Sequence, residues 1–599
     1  MSPTSSPPES RTTALLGALF ILLFFSLFSY GGLFAYFTFD DGTAVVANLL
    51  HFETPMWRNV VHVLTVFTKA YRPLATMFWR PMYAVFGYNP LPYRIAIHLM
   101  MMINIWLAYV LARRLEVTRE AAALATLVFC YNASMSDLYY DSCTVTDVIC
   151  FLLYALAMVV YVRGRRTGNP LSWWRMAAVG VFYLLALDSK ELAVALPGVL
   201  LIYELLYRRQ DFRDRRKALR IGLLLMAMVV VGAIYLKVKV AEMAPNTAYR
   251  PHPTVGFVLT NVGHYLRHLM YLPDNSLTTV QAWLILGGLL AAGALVRSRA
   301  AVFGVLFFVV ALIPVAVIPA RGAYCAYIPY VGLTLAVGAI LAGARAYLAR
   351  LIPRKDVERG TAIVLFLCVA ILLGRAHMTH WASANGFWEW DKPRVVDLLT
   401  NFRRNIPEFP PNARVLITED PWGGDWGPMF LVQLMYHDAK VWVDRPKNLD
   451  HPPDLSTYDV TVSYKPGYID LNPARVFGVP LKWLVRGSTS NPGAFVVSSP
   501  NAHGAGSHVM FEPQASRERQ SVKVTIPGLS SVAVNALYRI VSGKNSTPYL
   551  VNNFCTLDAS GSCTITAPAM DRLGAMAVDW VQPAGQRWIF TSGVLTVVE

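Results

Sequence analysis

ALLGALFILLFFSLFSYGGLFAYF, residues 14–37, is the stretch that decides the fold. It contains no charged residue and exceeds the ~20 apolar residues a helix needs to cross a bilayer. The run is too long for the apolar core of a signal peptide, and no small-residue cleavage site follows it. It therefore reads as a first, retained span. The polar segment before it, Met1 to Thr13, carries Pro and Ser and is expected to be disordered and cytoplasmic. Directly after the run come Phe39-Asp40-Asp41-Gly42, two adjacent carboxylates where the chain leaves the apolar phase.

Composition extends this reading to most of the chain. Hydrophobic residues make up 55% of the 599, charged residues 15%, and mean hydropathy is +0.41. An ordinary soluble domain is roughly 25% charged. Apolar runs recur as far as about residue 378 and then stop. The expected organisation is a polytopic α-helical membrane domain over 1–378, a small α/β domain over 379–516 and an immunoglobulin-like β-sandwich over 517–599.

The net charge of +16 could suggest a nucleic-acid partner, but its distribution excludes one. Basic residues gather in short loops between apolar runs: Arg113-Arg114, Arg163 to Arg175, Arg208 to Arg220, Arg297 to Arg299 and Arg345 to Arg359. That is the positive-inside pattern, which sets orientation, not a basic stripe on a soluble fold.

Threading follows from those loops. Spans are expected near 14–36, 93–112, 120–136, 147–162, 220–238, 279–296, 301–319, 323–344 and 361–377. Trp173 to Tyr207 has basic loops at both ends and is interrupted by Asp188-Ser189-Lys190-Glu191, so it crosses twice with the charged turn outside. The total is about eleven crossings, with the N-terminus inside and the C-terminal region outside. Apolar stretches with interleaved charge, Val45 to Phe52, Trp57 to Phe67 and Gly256 to Leu272, read as helices lying in the interface.

In this threading every charged cluster outside the basic loops falls on the external side. These are Asp40-Asp41, Arg72 and Arg80, Asp137 with Asp141 and Asp147, Lys190-Glu191, the His252 to His268 stretch, and Arg321. Ionisable groups at membrane depth are costly and mark function by default. Asp40 and Asp41 could supply a general base, since two neighbouring carboxylates repel and one is pushed toward working pH. The competing reading is a solvated helix end. Lys190, Arg72 and Arg321 could pair with Asp188, Glu191 or another acid of the same face. Asp137 and Asp141 either join the site or belong to a solvated loop. His264 and His268 stand four apart on one helical face, but no third metal ligand is evident. Nucleotide-binding fingerprints of the G-x-G-x-x-G or Walker type are absent.

Several of these residues fall into an ordered series. Phe39-Asp40-Asp41 is followed by Tyr71-Arg72-Pro73-Leu74 and then Tyr93-Arg94-(x3)-His98. The small-apolar stretch Ala123 to Phe129, Ser189-Lys190-Glu191-(x5)-Pro197 and Arg321-(x5)-Tyr327-Ile328-Pro329 come after. The series, over residues 14–345, resembles the GT-C class of membrane glycosyltransferases. It is most similar to the membrane module of the tetratricopeptide-repeat O-mannosyltransferases and their bacterial relatives, although the tail here shows no 34-residue repeat.

The resemblance implies inverting transfer of a sugar from a polyprenyl-phosphate donor to a protein or glycan hydroxyl on the external or periplasmic face. It implies Asp40 or Asp41 as base and Lys190, Arg321 and Arg72 at the donor phosphate. Asp137, Asp141, Glu191 and His264 would support the site. No cofactor is required, a divalent metal is compatible, and membrane lipid is a partner. In a bacterium the location would be the inner membrane. The alternatives are a transporter or flippase of lipid-linked glycan, and a surface-polysaccharide polymerase or ligase.

In the tail, helical patterning over Pro393 to Phe402 precedes short strands at Arg414 to Ile417, Lys440 to Val443 and Asp459 to Ser463. Alternating strands follow at Val522 to Ile526, Val532 to Ala536 and Val594 to Val598. Cys555 and Cys563 are expected to form a disulfide in an oxidising compartment, and the other five cysteines to serve as packing residues.

Overall fold

The structure is a computed structural model. It describes residues 11–35, 37–38, 57, 61, 72–87, 89–166, 170–243, 250–273, 276–349, 360–381 and 413–419, and from 432 onward chiefly the strands given below. Asp40, Asp41, the stretch 45–52, most of 57–67 and the helix expected at 393–402 lie outside the described residues. The chain divides into two compact units, Met1–Ala35 with Thr54–Trp388, and Tyr36–Glu53 with Glu389–Glu599.

The first unit is helical: α1 (Arg11–Leu33), α2 (Pro73–Phe86), α3 (Pro90–Arg114), α4 (Arg119–Cys130), α5 (Val145–Arg165), α6 (Trp173–Ser189), α7 (Leu196–Tyr207), α8 (Arg215–Met243), α9 (Val255–Leu269), α10 (Thr279–Leu295), α11 (Arg299–Ala316), α12 (Tyr327–Ala349) and α13 (Gly360–Trp381). Among the described residues seven helices are long and apolar enough to cross a membrane, those containing Leu15–Leu33, Pro90–Arg114, Ser142–Arg165, Arg215–Val238, Arg299–Ala316, Ala323–Ala349 and Gly360–Trp381. The protein is a multi-pass membrane protein. The other four expected crossings coincide with α4, α6, α7 and α10, which are helices of 12, 17, 12 and 17 residues and fall short of a standard span. α2 and α9, of 14 and 15 residues, are also shorter than a standard span. Each buries one face, with Trp79 and Tyr83 on α2 and Val262, Tyr265, Leu266 and Leu269 on α9, as an amphipathic helix in the interface does.

Small residues and buried ion pairs hold the helices together. Where α11 crosses α12, a Cβ added at Gly304 would lie 2.4 Å from the Gly332 carbonyl oxygen, and one at Gly332 would lie 2.5 Å from that of Gly304. The two backbones therefore meet directly, the close approach that small residues permit inside a membrane. Gly338 of α12 packs in the same way on Ala121 and Ala125 of α4, which explains why α4 is rich in alanine. At one end of the bundle, Arg165 of α5 donates to both oxygens of Glu204 of α7 at 2.7 and 2.9 Å, and to Asp211 at 2.8 Å. Tyr161 also donates to Glu204, at 2.8 Å. A bidentate guanidinium of this kind fixes geometry as well as charge. Arg345 of α12 grips Glu120 of α4 similarly, at 2.6 and 2.7 Å.

The second unit holds fourteen short strands among the described residues. β1 (Arg414–Glu419) lies between β2 (Trp442–Asp444) and β3 (Val460–Pro466) and is parallel to both. β6 (Gly493–Ser498) runs antiparallel to β3. β4 (Arg475–Val476) and β5 (Val479–Pro480) form a small ladder. The later strands form two sheets. One has the order β11 (Leu550–Thr556), β10 (Ala533–Val541), β13 (Gly574–Ala584), β14 (Arg587–Val598) and β8 (Ala515–Arg517). The other has the order β12 (Ser562–Thr566), β9 (Ser521–Thr525) and β7 (Met510–Glu512). The turn from β11 to β12 passes from one sheet to the other, and it is organised by Asp558. That carboxylate accepts from the backbone N–H of Ser560 at 2.8 Å and of Ser562 at 3.0 Å. With the Ser560 hydroxyl, these bonds hold it below the usual carboxylate range. Cys563 is disulfide-bonded, while Cys130, Cys143, Cys150, Cys325 and Cys368 are not in disulfides. The side chain of the remaining cysteine, Cys555, lies outside the described residues.

Candidate functional site

The backbone places the charged turn between α6 and α7 against two other chain segments. Lys190 is extended, at φ −157 and ψ 146, and ends α6. Glu191 opens the 3-10 turn Glu191–Ala195. Ser189 donates to the Thr146 carbonyl at 2.6 Å, which docks this turn on the start of α5. Arg72 caps α2 from a left-handed conformation, φ 48, directly before Pro73. Both features disfavour that backbone for arginine. Strain of this kind collects where the surrounding structure needs a side chain in one place.

Four charges result, arranged in two pairs. The Lys190 ammonium lies 2.5 Å from Asp147 Oδ2, with 8% and 3% of the two side chains exposed. It also stands 4.9 Å from the centre of the Tyr324 ring, over its face. Arg72 Nη2 donates to Glu191 Oε2 at 3.1 Å, and Nη1 reaches Thr146 Oγ1 at 3.5 Å. Burial is the largest single influence on the Lys190 pKa and would lower it, but the Asp147 charge, the Cys325 sulfur and the hydrogen bond to Asp147 together outweigh it and hold the ammonium above the ordinary lysine value. For Glu191, burial is the largest influence and would raise the pKa, while the Arg72 guanidinium, a backbone hydrogen bond and the Lys190 charge together keep the carboxyl below its usual value. Glu191 Oε1 is buried without a hydrogen-bond partner among the described residues.

The segment opening α12 closes this cluster from one side. Arg321 donates its backbone N–H to the Tyr265 hydroxyl of α9 at 3.1 Å, and its side chain is partly exposed. A Cβ at Gly322 would lie 3.1 Å from Asp137 Oδ2 and 2.8 Å from the Tyr324 ring. Glycine there lets the Asp137 carboxylate approach the Arg321–Tyr324 turn, so the expected Asp137 lies beside the cluster. Asp141 Oδ1 accepts from the Cys143 N–H at 2.8 Å and caps the turn Ser142–Thr144. His264 faces His268 with ring centres 4.3 Å apart. Among the described residues no group of three or more His, Cys, Asp or Glu side chains could hold a metal ion.

The structure thus joins Arg72, Lys190 and Glu191 in one network and sets Asp137 and the Arg321 segment beside it. Sequence reasoning placed Asp147 on the external face but did not pair it with Lys190, and it passed over Tyr324. The usable signal was an acid in the first turn of an otherwise apolar span, a costly position that calls for a partner.

Residues 70–235 match the family described as dolichyl-phosphate-mannose-protein mannosyltransferase. Over this stretch the chain is similar to that family, in line with its resemblance to the GT-C class of membrane glycosyltransferases. The match contains Arg72, Asp137, Asp141, Asp147, Lys190 and Glu191, and leaves Asp40, Asp41, His264 and Arg321 outside it. No curated protein matches the chain at a significant level. Among solved structures the chain is similar to the oligosaccharyltransferase AglB of Archaeoglobus fulgidus in complex with an inhibitory peptide and a dolichol-phosphate. Identity is 11%, 97% of this chain and 98% of that one are covered, and the TM-score is 0.43. The same organism's oligosaccharyltransferase tethered to an acceptor peptide with the NVT sequon gives 11% identity, the same coverage and a TM-score of 0.41. Likeness at this level carries no argument about function.

Proposed function

We propose that this glycosyltransferase moves a sugar, with inversion, from a polyprenyl-phosphate donor to a hydroxyl of a protein or glycan acceptor at the external face of the membrane. The observation that carries the reading is the network of the part-buried Arg72–Glu191 and the buried Lys190–Asp147 pairs, which lies within the matched residues 70–235. The matched family's own description names a dolichyl-phosphate-linked mannose and a protein. Asp40 or Asp41 takes the proton of the acceptor hydroxyl as its oxygen attacks the anomeric carbon. The bond from that carbon to the phosphate oxygen breaks, and the polyprenyl phosphate leaves with one more negative charge than it carried in the donor.

The network suits that change in charge. Two cations, Arg72 and Lys190, and two carboxylates, Asp147 and Glu191, sum to a formal charge of zero. Such a cluster orients a phosphate through preorganised donors without over-binding the ground state. Arg321, whose segment lies beside Asp137, supplies the net positive charge that stabilises the leaving phosphate. The soluble regions 379–516 and 517–599, read as an α/β unit and a β-sandwich, belong to the same external side and are free to present acceptor.

Two measurements test this. Purified protein in detergent should transfer labelled sugar from a polyprenyl-phosphate donor; transfer from a polyprenyl-diphosphate donor alone would favour the ligase reading instead. For orientation, single cysteines at Thr167 and Gln210 should stay unlabelled by an impermeant thiol reagent in intact cells and react after permeabilisation. Labelling of either from outside would reverse the threading and move Lys190 to the opposite face.

A further inference from the structure

The bundle end that carries the basic loops has a second charged cluster, and it is built differently from the first. Three arginines there are paired with acids: Arg165 with Glu204 and Asp211, Arg208 with Glu116, Arg345 with Glu120. Arg175 and Arg220 are not. Among the described residues no carboxylate lies within salt-bridge distance of either. Each guanidinium lies instead over an indole, Arg175 at 5.1 Å from the Trp174 ring centre and Arg220 at 5.0 Å from that of Trp173.

Both indoles are outside the packed core, at 62% exposure for Trp173 and 64% for Trp174. The arginines are nonetheless held in place. Arg220 Nη1 donates to the Leu171 carbonyl at 2.9 Å. Arg175 lies on Gly164, where a Cβ would come within 3.0 Å of its Cδ and 3.5 Å of its Nη1. The level is that of a membrane surface, because the apolar span of α5 ends at Arg165 and that of α8 begins at Arg215. Amphipathic indoles settle at the headgroup layer. A guanidinium there with no internal anion finds its counter-charge in the headgroups. Its planar fork matches two phosphate oxygens.

We infer that Trp173, Trp174, Arg175 and Arg220 form a binding site for an anionic phospholipid at the bundle end that bears the basic loops. The two guanidiniums take the headgroup phosphate and the two indoles flank the glycerol and upper acyl region.

The test reads lipid binding and not sugar transfer. Full-length protein in mild detergent is titrated with dioleoylphosphatidylglycerol or with dioleoylphosphatidylcholine. Retained lipid is counted by native mass spectrometry, and the thermal midpoint is followed in parallel. The wild type should keep phosphatidylglycerol adducts and rise in midpoint with that lipid only. Arg175→Gln and Arg220→Gln should each weaken binding roughly fivefold, and the double variant correspondingly more, while Arg213→Gln and Arg216→Gln at the same end leave it unchanged. If the double variant does not fold, Arg175→Gln alone decides the matter, because its side chain makes no hydrogen bond among the described residues. Undiminished phosphatidylglycerol binding in Arg175→Gln would overturn the inference. So would equal binding of phosphatidylcholine, or an equal midpoint rise with inorganic phosphate in place of lipid.

Discussion

Asp40→Asn or Asp41→Asn is expected to abolish sugar transfer while the protein still folds and still binds donor. Asn keeps the size of the side chain and its capacity to hydrogen-bond, so the local backbone should survive. It cannot take the acceptor's proton. Loss of a general base commonly costs about 10²–10⁴ in rate. Asp40 should show the larger loss if Asp41 only orients it or binds the acceptor. Single-turnover transfer of labelled sugar, alongside donor binding measured on the same preparations, separates the chemical step from binding. Near-normal turnover in both single variants would falsify the assignment. The acids would then be a solvated helix end, and the transporter reading would gain.

The second large effect concerns Lys190. Lys190→Met leaves the Asp147 carboxylate buried, at 3% exposure, without the cation that compensates it. Breaking a buried pair from one side costs about 3–5 kcal/mol, whereas replacing both partners with apolar side chains is often close to neutral. The expected pattern is therefore a sharply lowered unfolding midpoint in detergent for Lys190→Met, and most of the stability recovered in Lys190→Met/Asp147→Leu. Transfer activity should be lost in both. A double variant as unstable as the single one would show that Lys190 is held by something other than Asp147. Recovered activity in the double variant would remove Lys190 from the donor-phosphate role. The coupling between the two positions isolates the pair, since each substitution alone also disturbs its neighbours.

Much of the membrane architecture was legible because its signal is long and redundant. α1, α3, α5, α8, α11, α12 and α13 each present a sustained apolar run, and the basic loops between them repeat the same message of orientation. The shorter helices were harder to judge. α6 and α7 were expected to be two crossings because both outer ends are basic, yet α7 has only 12 residues. A helix that short lies in the bundle because Glu204 and Arg165 fix its far end and Lys190 its near end, neither of which hydropathy records. Ala123 to Phe129 was recognisable as a stretch of small residues. Its purpose, a face for Gly338 to approach, depends on α12, more than two hundred residues away.

The sequence by itself determined the membrane class, the run of spans as far as about residue 378, the change to strand patterning in the tail and the set of charges outside the basic loops. Each of these is a local property, set by side-chain hydropathy and charge over a window of residues. Only the tertiary structure decided which charges meet. Asp188 adjoins Lys190's turn in sequence, yet Lys190 is partnered by Asp147, some forty residues away. Arg72 reaches Glu191 across more than a hundred. Pairing at membrane depth is chosen by which buried charge lies near enough to compensate another, and that distance exists only once the helices have packed.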